Sequence, residues 1–290
     1  MGPRQHTGGP NRRPDVSRPP SDSALIVFAK APVPGQVKTR LCPPLTPDEA
    51  ASLHGSIVLD MLERSRGAVS MDRFVACAPS PEHVFFKILE ERHGVRLLAQ
   101  TGDDLGARMA RAMADVFALG YRQVLVIGTD LPTLPGSAFG DAVKLLADHD
   151  LVLGPAMDGG YYLIGLRKPA PDLFAGIPWS TDRVLALTTQ KAAALGLTIA
   201  LLPVRRDIDT IDDLRALIDE MGASRGTGGK RATRVPQLTR EIRPEPRTSS
   251  SELSTVHLSP RTAGVLRLLE SRLHAQTQRT PEAGKAAASR

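Results

Sequence analysis

Val124-Leu125-Val126-Ile127-Gly128-Thr129-Asp130-Leu131-Pro132-Thr133-Leu134 decides how this chain is read. Its first four residues are β-branched or aliphatic with no polar interruption. Such a run suits a strand buried on both faces of a parallel sheet. Gly128 and Pro132 then stop the strand at Gly-Thr-Asp. In an open α/β sheet ligands bind where strands end, so a carboxylate at this place is positioned to hold a divalent cation. The plain alternative is that Asp130 closes a turn or caps the next helix.

Working outward, similar apolar runs predict strands over residues 24–29, 74–78, 95–99, 151–154, 161–166 and 198–204. Helical stretches separate most of them. Thr46-Pro47-Asp48-Glu49 is a strong helix start, with a Thr cap, Pro at the first position and Glu three residues after the cap. Further helices are expected over residues 81–92, from 109 to 119, to about 147, from Trp179-Ser-Thr-Asp182 to 195, and from Thr210 to about 221. Alternating strands and helices define an α/β protein with a mostly parallel sheet and helices on both faces.

Composition sets the domain limits. Of the net charge of +6, residues 1–22 carry +2 and residues 223–290 carry +8, leaving 23–222 at −4. The basic balance therefore belongs to the ends. That argues against nucleic acid as a partner, since such a footprint sits on the folded surface. Residues 1–22 and 223–290 have the Arg, Ser, Thr, Pro and Gly content of disordered tails. Within the second, residues 262–274 carry Val265, Leu266, Leu268, Leu269 and Leu273 at the spacing of a short, accessory helix. Cys42 and Cys77 form no CxxC pair and read as small hydrophobes in a reducing compartment. With no secretory signal and no membrane-spanning run, the expected location is the cytoplasm.

Five of the expected strand ends carry unusual polar residues, all on one edge of the sheet. The loop after the first strand holds Lys30, Lys38 and Arg40 and is stiffened by prolines and Gly35. Val37 stands where a Walker A motif needs glycine, so the loop is not a P-loop. Its cations still suit a di- or triphosphate; a solvated basic loop is the alternative. Gln100, Gly102, Leu105 and Gly106 follow the third strand, where small residues let a backbone approach a flat base. A helix N-terminus explains that stretch equally well. Asp130 is the third place. The fourth is Asp158-Gly159-Gly160-Tyr161, where paired glycines mark either close approach of a backbone or a ligand, or a simple bulge or turn. The fifth is Asp207-Ile208-Asp209, whose two carboxylates face the same way in an extended segment or else cap the Thr210 helix. Cations and carboxylates on one edge are the composition of a metal–nucleotide site using Mg²⁺ or Mn²⁺.

The segments FAKAPVPGQVKTRL (28–41), QTGDDLGARM (100–109), IGTDLPTL (127–134), GPAMDGGYYLIGL (154–166), IPWST (177–181) and DIDTIDDL (207–214) carry a resemblance. Residues 24–221 resemble DUF2064, a bacterial family of GT-A-fold transferases. The family is related to 2-phospholactate-type guanylyltransferases and to molybdenum-cofactor nucleotidyltransferases. The resemblance implies a Rossmann-like GT-A domain over 23–222, with a nucleotide-binding half, an acceptor-binding half and a divalent metal between them. Lys38 and Arg40 would then hold phosphates, with Lys30 and Gly35 of the same loop as further nucleotide-binding candidates, and Gln100, Gly102, Leu105 and Gly106 would line the base. Asp130 and Asp209 would hold the metal, although Gly128 means that a full DxD motif is missing. Asp158, Gly159, Gly160 and Tyr161 would meet the acceptor, with Asp130, Asp158 and Lys38 as the catalytic candidates.

The preferred expectation is metal-dependent transfer of a sugar from a nucleotide-sugar to a small acceptor. The alternative is nucleotidyl transfer, in which an NTP is attacked by a phosphorylated or carboxylated acceptor and pyrophosphate leaves. The separation of Asp130 from Asp209 in sequence favours that alternative. A non-catalytic nucleotide-binding module is the third reading.

Overall fold

The computed structural model describes residues 21–68, 70–226 and 258–277. The expected tails at 1–20, 227–257 and 278–290 lie outside the described residues. Seven strands form one sheet: β1 (Ser23–Lys30), β2 (Asp72–Ala78), β3 (Arg96–Ala99), β4 (Gln123–Ile127), β5 (Leu151–Pro155), β6 (Tyr161–Leu166) and β7 (Ile199–Leu201). Their order is β3-β2-β1-β4-β6-β5-β7. All neighbouring pairs are parallel except those made by β6, which runs antiparallel to both β4 and β5. The short β5–β6 turn reverses the chain, so the N-terminal end of β6 lies on the same edge as the C-terminal ends of the others. That reversal carries Asp158–Tyr161 to the edge already occupied by Lys30 and Asp130.

The helices are α1 (Pro47–Ala68), α2 (Val84–His93), α3 (Leu105–Phe117), α4 (Ser137–Asp148), α5 (Val184–Ala194), α6 (Ile211–Gly226) and α7 (Pro260–Thr277). Strand side chains alternate between two cores as the period of two requires. On β1, Leu25, Val27 and Ala29 join α1, α2 and α4 on one face. Ala24 and Ile26 join α3 and α5 on the other. The Thr46 capping box forms as expected, with Glu49 N–H donating to Thr46 Oγ1 at 3.3 Å and Thr46 N–H to Glu49 Oε2 at 2.9 Å.

Two expectations are corrected. Helix α5 begins at Val184, not at Trp179, because 179–183 form a turn in which Ser180 takes a left-handed φ of 64°. The second concerns the C-terminus. Helix α6 continues past residue 222, and α7 is a packed part of the fold rather than an accessory helix. Leu266 and Leu269 of α7 are buried in a third core with Leu53 and Ile57 of α1 and Leu214 and Leu217 of α6. Asp60 of α1 is fully buried and finds hydrogen-bonding partners across this contact. Arg261 Nη1 lies 3.2 Å from its carboxylate, and Thr262 Oγ1 donates to it at 2.5 Å. A domain ending at 222 would omit these partners. Among the described residues no helix is long and apolar enough to cross a membrane.

Candidate active site

The cleft along the strand-end edge has a volume of about 660 Å³. Of the residues singled out by sequence, Lys30, Lys38, Arg40, Gln100 and Leu105 line it from the first half of the chain. Asp130, Asp158, Gly160, Tyr161 and Asp209 line it from the second. Elements far apart in sequence thus meet at one opening. Gly35, Gly102, Gly106 and Gly159 are not part of its wall.

The β1–α1 loop delivers the cations. Ala31 N–H donates to Ala78 O at 2.8 Å, and turns at Val33–Gln36 and Lys38–Leu41 fold the loop back over the sheet. Lys38 takes a left-handed backbone conformation at φ 48°, which costs a non-glycine residue roughly 1–2 kcal/mol. Its side chain is 4% exposed. The ammonium donates to the Asp130 carboxylate and to the Ile208 carbonyl, and lies 3.5 Å from Asp209 Oδ1. Arg40 Nη1 reaches the other oxygen, Asp209 Oδ2, at 3.0 Å. A backbone bond from Ile208 N–H to Asp130 O at 2.9 Å fixes the end of β4 against the 207–209 segment. The two carboxylates therefore face a common cation, although 79 positions separate them in the sequence.

Asp207 is the most perturbed acid of the cleft. Burial pushes its pKa up to about 6, and the negative charges of Asp158, Asp209 and Asp130 push the same way. Among the described residues no cation forms an ion pair with it. Four acids near one opening, two of them (Asp158 and Asp207) without an ion pair among the described residues, are a donor set that fits a hard divalent cation. Among the described residues no three His, Cys, Asp or Glu groups converge as a complete cage. Mg²⁺ does not need one, because one or two carboxylates plus substrate phosphates hold it.

Several glycines serve the scaffold instead of a ligand. A Cβ on Gly106 would lie 2.4 Å from the Trp179 ring, so Gly106 makes room for that indole. Gly102, at φ 141°, sits 2.8 Å in the same sense from the Arg108 backbone nitrogen and shapes the turn into α3. Gly159, at φ 88°, passes against the backbone of Asp182. Gln100 is also corrected in part. Its side-chain amide donates to Ala76 O at 2.8 Å and to Ala29 O at 3.3 Å, so only its Oε1 remains to meet a base. Asp158 Oδ1 accepts from Gly160 N–H at 2.8 Å, holding the turn of which it is part.

Two wall residues escaped the sequence reading. Trp179, the single tryptophan of the chain, stacks on Phe174 and meets Tyr161 edge-on, forming an apolar wall with Leu105 and Met109. Its place in the IPWST segment (177–181) was the available signal. His54, on α1, is 5% exposed and bonds through Nε2 to Lys30 O at 3.0 Å. Burial holds its pKa below the usual value, partly offset by that bond. A lone histidine inside an amphipathic helix gives no sequence signal of this role.

A doubly wound α/β sheet whose strand-end cleft pairs Lys and Arg side chains with acids is an architecture on which nucleotide-handling transferases are built. Residues 61–181 match the family model described as "Uncharacterized protein conserved in bacteria (DUF2064)". A crystal structure from Desulfovibrio desulfuricans G20, provisionally described as a nucleotide-diphospho-sugar transferase, is 31% identical with a TM-score of 0.69. That match covers 88% of this chain and 98% of the other. The chain belongs to the DUF2064 family and is a transferase. Curated relatives include a 3-phospho-D-glycerate guanylyltransferase of Phenylobacterium zucineum, 29% identical over 68% of this chain and 88% of the relative. Another is a 2-phospho-L-lactate guanylyltransferase of Methanothermobacter thermautotrophicus, 25% identical over 62% of this chain and 78% of the relative.

Proposed function

We propose that this protein is a nucleotidyltransferase that joins the nucleoside monophosphate part of an NTP, GTP as first choice, to a small phosphorylated or carboxylated acceptor. The observation that carries this reading is the convergence of Lys38 and Arg40 on Asp130 and Asp209 in one cleft. The names of the curated relatives favour guanylyl transfer over the sugar transfer first expected from sequence.

In this reading Lys38 and Arg40 bind the phosphates, one as a point charge and the other as a fork. Asp130 and Asp209 would hold Mg²⁺ or Mn²⁺, which supplies charge neutralisation on the phosphates when bound. An acceptor oxygen attacks the α-phosphorus, the bond from that phosphorus to the β-phosphate oxygen breaks, and pyrophosphate leaves with the electron pair. The cations of the loop stabilise the charge that develops on the leaving group. His54 positions this loop by fixing the carbonyl of Lys30, where β1 passes into it. The Trp179 wall excludes water from one side, and the 158–161 turn flanks the acceptor side.

Pyrophosphate release from GTP in the presence of Mg²⁺ and a panel of phosphorylated carboxylic acids tests this directly. Sugar transfer, favoured by the description of the Desulfovibrio structure, would instead release a nucleoside diphosphate from a nucleotide-sugar.

A further inference from the structure

We propose that Lys38 holds the place of the divalent cation until nucleotide arrives, so that metal enters this cleft only together with nucleotide. The inference rests on the nucleotidyl-transfer reading and adds an order of binding to it. The two carboxylates assigned to the metal are both engaged by cations from a single loop. Lys38 takes Asp130 and shares Asp209, while Arg40 holds the second oxygen of Asp209. These are the same two side chains assigned to the phosphates. They cannot satisfy carboxylates and phosphates fully at once.

Burial makes the exchange all or none. The Lys38 side chain is 4% exposed, and an ammonium removed from water must keep partners of opposite charge or polarity. A divalent ion arriving alone would take its carboxylates and also repel it at close range, leaving only the Ile208 carbonyl as an acceptor. An ion arriving with a triphosphate brings replacement acceptors for Lys38 and Arg40. The Arg40 side chain is 67% exposed and is free to turn. The backbone supports a poised loop, since Lys38 is held in a left-handed conformation of the kind that accumulates at switch points. Once relieved by nucleotide, the ammonium moves from the carboxylates to phosphate, and the vacated oxygens face the ion.

The test is titration of the full-length protein with MnCl₂, following free Mn²⁺ by electron paramagnetic resonance, with and without GTP. Wild type alone should show no one-to-one binding tighter than about 10⁻³ M, the weak end of oxygen-ligand sites. Lys38→Met should bind Mn²⁺ about 10-fold or more tightly without GTP, the size of an ordinary coupling between sites. Adding Asp130→Asn to that variant should remove the gain, which excludes binding elsewhere. Tight Mn²⁺ binding by wild type alone, abolished by Asp130→Asn, would overturn the proposal and requires no Lys38 variant to fold. A folded Lys38→Met protein that gains nothing would also overturn it. Should Lys38→Met gain Mn²⁺ while GTP binds in no arm, the placeholder stands and the guanylyl reading falls. If wild type binds GTP and releases pyrophosphate but Lys38→Met gains nothing, the reverse holds.

Discussion

Asp60 and Asp207 are both drawn out of water, and their surroundings could hardly differ more. Asp60 lies fully buried on α1, with Arg261 and Thr262 of α7 placed on its two oxygens. Asp207 lies half-buried in the cleft among Asp158, Asp209 and Asp130, which together with burial raise its pKa to about 6. The first charge is answered inside the fold and is scaffolding. The second has no cation paired with it among the described residues. An acid whose environment opposes its own charge marks a functional site more reliably than its burial does.

The largest effect should come from the cleft. Asp130→Asn keeps the shape of the side chain and removes the charge that a hard cation and Lys38 both require. Turnover should fall by about 100-fold or more, by analogy with the loss of one preorganised stabilising group. Metal titration of activity beside wild type checks it; an unchanged Mg²⁺ requirement at near-normal rate would remove Asp130 from the site. Because buried Lys38 loses its main partner, apo stability should fall modestly.

The scaffold acid gives the next effect. Arg261→Met should leave buried Asp60 with Thr262 and the Arg64 guanidinium, a partly broken pair that costs about 3 kcal/mol, the low end for such a loss. Thermal melting should drop by roughly 6–12 °C, at about 2–4 °C per kcal/mol for a domain of this size. Activity at low temperature should survive. An unchanged melting point would mean that α7 does not seat on α1 as described.

Asp207→Asn should move stability in the opposite direction. A carboxyl whose folded pKa lies above its unfolded value binds its proton more tightly when folded, so ionising it opposes folding. Its unfavourable contribution is absent below about pH 4, grows as pH rises towards 6, and is full above that value. The ligand-free variant should therefore melt higher than wild type at pH 8 and equally at pH 4. A gain that does not vary with pH would point to some other cause.

The smallest effect concerns Gly106. A methyl group there would press on the Trp179 ring, so Gly106→Ala should displace the ring, shift the emission of the single tryptophan and lower the melting temperature by about 2–4 °C, for about 1 kcal/mol of overpacking. An identical spectrum would show that Trp179 does not rest on α3.

The sheet was legible in sequence because strands covered on both faces are continuous apolar runs. The polar clusters that interrupt those runs were legible for the same reason. What sequence could not supply was the answer to each polar group. Nothing near Asp60 in sequence announces Arg261, some 200 residues away. Paired glycines signalled close approach correctly at Gly159 without saying that the neighbour is the backbone of Asp182. Lys38, Asp130 and Asp209 were each named from local chemistry. That the first sits between the other two follows from tertiary folding alone, as does the loss of Gln100's amide to backbone carbonyls.

A nucleotidyltransferase breaks the bond at the α-phosphorus of an NTP. GTP labelled at that phosphorus, incubated with Mg²⁺, the full-length protein and phosphorylated carboxylic acids, gives the most direct measurement. Label transferred to an acceptor, with one pyrophosphate released per label, is the predicted result. Label confined to unreacted GTP across the panel, alongside nucleoside diphosphate released from a nucleotide-sugar, would contradict it.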